Sequence, residues 1–185
     1  MGKRVMKIRT TPIEGVAIVE TTPFIDHRGS FSRLFCDDEL RVVLKSRTIK
    51  QINHSCTHSV GAVRGLHMQK PPHAEMKLIR CLKGGVWDVA VDLRKDSPTL
   101  LQWFALELTP ENRCMLVIPE GCAHGFQVLQ PDSEMLYLHT AAYTPSTEHG
   151  CHPADPAIGI HWPRAITEMS ERDSTLPLID ENFTG

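Results

Sequence analysis

The feature that most constrains this chain is a succession of short runs rich in β-branched and apolar residues, bounded by turn-forming residues. Val16–Glu20, Thr48–Asn53, Gly61–His67, Lys77–Leu82, Val86–Leu93, Trp103–Leu108, Met115–Ile118 and Glu134–Thr140 all have this form, and such runs read as strands. One early segment, Asp38–Lys45, has the helical period instead, with Leu40, Val43 and Leu44 on one face. Strands spaced roughly ten residues apart, without long helices between them, predict an all-β sandwich or barrel. The glycine pair in Leu82-Lys83-Gly84-Gly85-Val86 is that expected of a hairpin turn. A length of 185 residues suits one domain, 1–185, that buries a core without disulfide or metal staples.

Charge narrows the partners. The net charge of -2 creates no positive field for nucleic acid or an anionic membrane, so a phosphate-bearing ligand needs a local group of cations. The apolar runs are too short to span a bilayer. Met1 to Thr11 is polar, with Lys3, Arg4, Lys7 and Arg9 and no apolar stretch behind them, so no secretory segment is expected. Six scattered cysteines without a CxxC pair fit free thiols in a reducing cytoplasm. Beyond Pro163 the pattern fades into a polar tail, 164–185, which composition alone makes a surface flap.

The densest chemistry lies in Arg64-Gly65-Leu66-His67-Met68-Gln69-Lys70-Pro71-Pro72-His73-Ala74-Glu75-Met76-Lys77 and in Pro119-Glu120-Gly121-Cys122-Ala123-His124-Gly125-Phe126. Strand alternation puts Gly65, His67 and Gln69 on one side and Arg64, Leu66 and Met68 on the other. Two readings follow. In the first, His67, His73, Glu75 and His124 hold a divalent ion, as in a metal-dependent cupin dioxygenase or isomerase. Against it, Gln69 occupies the place of the second strand ligand, and Pro71-Pro72 break the strand before His73. In the second, the site transfers protons: a neutral histidine is the natural base near pH 7, Lys77 steadies a developing enolate, and Tyr137 supplies a proton. A core histidine, a strand-end lysine and a packed tyrosine explain the same residues without function, and spacing alone does not decide. Arg28, in Asp26-His27-Arg28-Gly29-Ser30-Phe31, and Arg64 each stand beside a glycine that lets backbone approach an anion.

Taken in order, DHRGSF (26–31), QINHS (51–55), VRGLHMQKPP (63–72), KLIRCLKG (77–84), DVAVDLRKDSPT (88–99), IPEGCAHGF (118–126), LYLHTAAYTP (136–145), DPAIGIHWP (155–163) and MSERD (169–173) resemble the dTDP-4-dehydrorhamnose 3,5-epimerase family. The resemblance runs from about Lys7 to Leu178. It implies a cupin-type double-sheet jelly roll with a few short helices and no metal or other cofactor. The implied substrate is a nucleotide-diphosphate 4-keto-6-deoxysugar, inverted at C3, C5 or both. By the same resemblance His67 would be the base, Asp173 its partner delivered by the tail, Lys77 the enolate stabiliser and Tyr137 the acid. Arg28, Gln51, Asn53 and Arg64 would bind the diphosphate and sugar, His124 would line the cavity, Tyr143 would lie near the nucleotide, and Phe31 would pack on the base. Homodimers, with an N-terminal segment added to the partner's sheet, are implied as well.

Two positions depart from the family pattern. Met68 replaces an aromatic residue, and Arg33 stands where thymidine-binding members carry a glutamate. A guanidinium offers donors only, so Arg33 predicts that CDP or another diphosphate binds at least as well as TDP.

Overall fold

The computed structural model describes residues 5–180, 183 and 185. Lys3 and Arg4 of the basic start, and residues 181, 182 and 184 of the tail, lie outside the described residues. The chain is an all-β, cupin-type jelly roll with two short helices. In order it forms β1 (Met6–Thr10), β2 (Ala17–Thr21), β3 (Phe24–Asp26), β4 (Gly29–Phe31), α1 (Asp37–Leu44), β5 (Gln51–Thr57), β6 (Val63–Gln69), β7 (Lys77–Lys83) and β8 (Val86–Asp92). Then follow β9 (Trp103–Leu108), β10 (Cys114–Ile118), β11 (Cys122–Val128), β12 (Ser133–His139), a 3-10 turn (Pro145–Thr147), β13 (Glu148–Gly150) and α2 (Glu171–Ser174).

Two antiparallel sheets face each other, ordered β1-β2-β10-β7-β12-β5 and β13-β6-β11-β8-β9, with β3 and β4 forming a separate two-stranded hairpin. Ile18, Ile79, Leu116 and Met135 of the larger sheet meet Val86, Ala90, Leu108 and Phe126 of the smaller one. Both outer faces are covered too. Leu40 and Leu44 of α1 pack on Ala17, Val19, Leu78 and Val117, while Cys151 and Ile158, beyond β13, cover Leu66, Val89, Val91 and Ala123. Strands buried on both faces lose their alternation. In β11, every residue of which is buried, His124, Gly125 and Gln127 also interrupt the apolar run, so it gives no strand signal of its own.

The glycine pair does not make a hairpin. β7 pairs with β10 and β12, and β8 with β9 and β11, so Gly84-Gly85 carries the chain from one sheet to the other. Ser133 holds this crossing by bonding both Gly85 N–H and Gly85 C=O, at 3.0 and 3.1 Å. The strand expected at Thr48–Asn53 begins and ends later, at Gln51–Thr57. The tail beyond Pro163 is more than a flap. Val63 N–H donates to Glu168 C=O at 2.9 Å, and Ala62 forms a parallel bridge with Glu168, which fixes the approach to α2.

Candidate active site

A cavity of about 730 Å³ opens between the sheets, lined by β5, β7 and β12 on one wall and by β6 and β11 on the other, with α2 at its rim. That volume suits a substantial organic ligand. Arg64 and His67 both line it, although three residues apart in a regular strand they would point to opposite faces. The register explains the difference. His67 stands opposite His124 and Arg64 opposite Phe126, so Gly65 and Leu66 together face the single Gly125. This two-against-one bulge turns Arg64 back to the side of His67. The strands come too close here for side chains: a Cβ on Gly65 would lie 2.5 Å from Gly125 Cα and 2.9 Å from His124 O.

His67 Nε2 is 2.8 Å from Asp173 Oδ1. Asp173 is buried, its Oδ2 accepts Gly65 N–H at 3.1 Å, and its own N–H donates to the Ser170 hydroxyl that caps α2. Burial pushes the Asp173 carboxyl up, but the bond and charge of His67, with those donors, hold it down at about 2. Arg172 Nη2 lies 3.0 Å from the same His67 Nε2; with the ring hydrogen on Nε2, Asp173 accepts it and the Nδ1 lone pair is the basic atom. Arg172 reaches over the pair to Glu148, at 2.9 and 3.0 Å.

On the facing wall, the Tyr137 hydroxyl bonds Ser55 Oγ at 2.9 Å, and burial raises its pKa. Lys77 Nζ donates to His67 O at 3.0 Å and lies 3.4 Å from Glu75 Oε1; burial lowers its pKa while Glu75 opposes that. His124 Nε2 is 2.7 Å from Asp88 Oδ1, and burial lowers the histidine and raises the aspartate, which favours the uncharged form of the pair.

Asn53, Arg64, His124 and Tyr143 also line the cavity. Gln51 does not, but supports two residues that do: its Oε1 accepts Tyr143 N–H at 2.9 Å and its Nε2 donates to Asn53 Oδ1 at 3.1 Å. Arg28, Phe31 and Arg33 are not brought into the cavity of their own chain. Arg28 is clamped on Asp26 in the exposed β3–β4 hairpin. Arg33 pairs with Glu39, whose other oxygen accepts Val5 and Met6 N–H.

The metal-ligand set is corrected. His73 is exposed outside the cavity, and His67, Glu75 and His124 each hold a different partner. Gln69 is not a failed ligand but a staple, donating to His73 O and Ala142 O and accepting Thr144 N–H. Sequence reasoning missed Ser55, Asp88, His139, Glu148 and Arg172 as cavity or supporting residues. For His139 a signal existed, since it follows Tyr137 by two on one strand and shares its face.

Comparison with known proteins identifies the family. The family profile described as dTDP-4-dehydrorhamnose 3,5-epimerase matches residues 10–181. The chain belongs to that family. The dTDP-4-dehydrorhamnose 3,5-epimerase of Salmonella typhimurium is 42% identical over 178 residues, covering 95% of this chain and 97% of that one. The crystal structure of the Elizabethkingia anophelis enzyme superposes with a TM-score of 0.90 at 35% identity, covering 97% of this chain and 100% of the other. A Legionella pneumophila epimerase solved in complex with dTDP-4-keto-L-rhamnose gives 0.88 at 36% identity, covering 94% and 92%. The chain is thus an isomerase of deoxysugar biosynthesis, an epimerase of nucleotide-linked 4-keto-6-deoxyhexoses.

Proposed function

We propose that His67 removes the proton from the carbon beside the 4-keto group and that Tyr137 returns one from the opposite face. One observation carries this reading: the two side chains enter a single cavity from different sheets, His67 on β6 and Tyr137 on β12. The C–H electrons move to the keto oxygen, where the Lys77 ammonium meets the enolate charge. His67 keeps the proton it took, with Asp173 balancing the imidazolium, until solvent removes it, and solvent returns to Tyr137 the proton it gave. A positioned acid or base contributes about 10²–10⁴-fold, and one oxyanion donor about 3–4 kcal/mol. Burial of Tyr137 keeps it a phenol, the form an acid requires.

Asn53, Arg64, His124 and Tyr143 bind the sugar diphosphate in this reading, with Gln51 holding Asn53 and Tyr143. The nucleotide is thymidine diphosphate: the relatives are named for dTDP sugars, and Arg33, engaged by Glu39, no longer speaks for cytidine. Arg28 and Phe31 act in a homodimer, each hairpin serving the neighbouring subunit's cavity. The enzyme works in the cytoplasm; among the described residues no helix is long and apolar enough to cross a membrane.

The test is turnover in D₂O with dTDP-4-keto-6-deoxyglucose, locating deuterium by NMR. His67→Ala abolishes incorporation at both carbons while TDP affinity holds. Tyr137→Phe still exchanges through His67 but forms little inverted product. Wild-type exchange in the first variant, or normal inversion in the second, removes that residue from the mechanism. Calorimetry with TDP, CDP, UDP and GDP decides the base, and CDP binding as tightly as TDP overturns the thymidine reading.

A further inference from the structure

Lys77 is held by more than its own strand. Its side chain is 9% exposed, and a buried amine sheds its proton unless an anion stands beside it. The anion is Glu75, itself buried, with Oε1 3.4 Å from Lys77 Nζ. Its second oxygen, Oε2, lies 2.8 Å from His139 Nδ1. His139 is nearly as enclosed, and its Nε2 meets the Asn53 amide nitrogen at 3.4 Å. An amide N–H only donates, so Nε2 accepts and Nδ1 carries the hydrogen that Glu75 receives. Behind Asn53 stands Gln51, bonded to the Tyr143 backbone. One line of hydrogen bonds thus runs from Tyr143 through Gln51, Asn53 and His139 to Glu75, and the Glu75–Lys77 ion pair ends it.

We propose that Glu75 and His139 are positioning residues for the epimerisation, a carboxylate–imidazole pair that keeps the Lys77 ammonium charged and aimed at the enolate oxygen. The proposal rests on the reading of Lys77 as enolate stabiliser. Burying three ionisable groups together costs more than packing apolar residues of the same volume, so a cluster kept only for stability would be poorly chosen. Glu75, Lys77, His139 and Asn53 all line the substrate cavity. Burial pushes the Glu75 carboxyl up, but His139 and Lys77 together hold it below the ordinary range, so it stays ionised as Lys77 needs. Other groups also act on Lys77 or share its cavity: Glu148 from β13, Arg172 from α2, Asp88 from β8, His67 from β6, His124 from β11, and Tyr137 and His139 from β12. Among the described residues Glu75 is the carboxylate that touches Nζ.

The experiment is the pH profile of deuterium exchange in the full-length enzyme, with Glu75→Gln, His139→Gln and Lys77→Ala compared. Removing the Glu75 charge leaves burial unopposed, so Lys77 loses its proton at lower pH. In Glu75→Gln the basic limb of kcat moves down by about one pH unit or more, and kcat at pH 8.5 falls roughly tenfold or more. KM and TDP affinity stay within about threefold, as does the acid limb. His139→Gln, which keeps a donor, shifts the limb in the same direction by less, and it reports alone if Glu75→Gln does not fold. An unmoved basic limb with kcat near wild type, in a variant whose circular dichroism is native, overturns the proposal. Exchange near wild type in Lys77→Ala removes Lys77 from the mechanism and the proposal with it. Loss in Lys77→Ala beside an unaffected Glu75→Gln sinks the positioning pair alone.

Discussion

His67 has two ring nitrogens with different duties, and Asp173 decides which has which. With the ring hydrogen on Nε2, beside which Arg172 Nη2 also stands, the carboxylate accepts it and the free lone pair sits on Nδ1. In Asp173→Asn the amide can instead donate to Nε2, moving the proton to Nδ1 and removing the base. Exchange should fall about 10²–10⁴-fold, the range of a lost acid–base group, while TDP affinity stays near wild type by calorimetry. The same substitution tests linkage. A carboxyl held at about 2 in the fold stabilises it fully above the ordinary carboxylate pKa, and loses that contribution as pH falls toward 2. Wild type should therefore lose stability between about pH 4 and pH 2, and Asp173→Asn should flatten that part of the curve in urea unfolding. Equal acid sensitivity of the two proteins would mean that Asp173 is not the group responsible. The histidine and lysine were legible in the sequence as chemistry-bearing residues. The family resemblance supplies Asp173 as the partner of His67, but the pairs His139–Glu75 and His124–Asp88 were not legible, because their members lie 64 and 36 positions apart and are brought together only by the fold.

Strand β6 carries the site because it is irregular. Its residue types announce a strand, and alternation groups His67 with Gly65 and Gln69, but whether two residues face one depends on β11, which no local pattern reveals. For the same reason Arg64 was legible as a cation and not as a neighbour of His67. The helix was easier: Leu40 and Leu44 recur at helical spacing and are fully buried on the sheet, a match between local period and packing. Gly84-Gly85 misled because the same glycine freedom serves a crossing between sheets and a turn within one. The bulge makes a sharp prediction. Gly65 has φ +131°, where side chains are rarely tolerated, and an added Cβ meets the backbone of β11. Gly65→Ala should lose about 2–4 kcal/mol in chemical denaturation, combining strain with overpacking. Because Gly65 N–H also holds Asp173, the folded fraction should exchange deuterium more slowly than wild type. A loss under about 0.5 kcal/mol, the usual range of a harmless surface change, would mean that the two strands can part at little cost.

As a whole molecule, the single chain leaves one element without a core. The β3–β4 hairpin exposes Phe24, Ile25 and Phe31 at 57%, 70% and 70%, and covering such side chains is worth about 1.5–3 kcal/mol each when complete. The candidate ligand residues Arg28 and Phe31 sit on this hairpin and away from their own cavity. Two-fold pairing would solve both difficulties, since in a closed dimer each hairpin meets the other subunit in the same way. Sedimentation should then give a dimer, and Phe24→Asp with Phe31→Asp should shift it toward monomer. Subunit mixing is more decisive. His67→Ala and Arg28→Ala are each expected to be nearly inactive alone. If Arg28 serves the neighbouring site, a mixed dimer joins an intact His67 in one subunit to an intact Arg28 from the other, and forms one complete site of two. Half the dimers in an equal mixture are mixed, so activity should recover to about a quarter of wild type after exchange of subunits. If Arg28 instead serves its own subunit, the mixed dimer has no complete site and no activity returns. A mixture that stays inactive, with mixed dimers verified by mass spectrometry, would confine each cavity to the residues of its own chain.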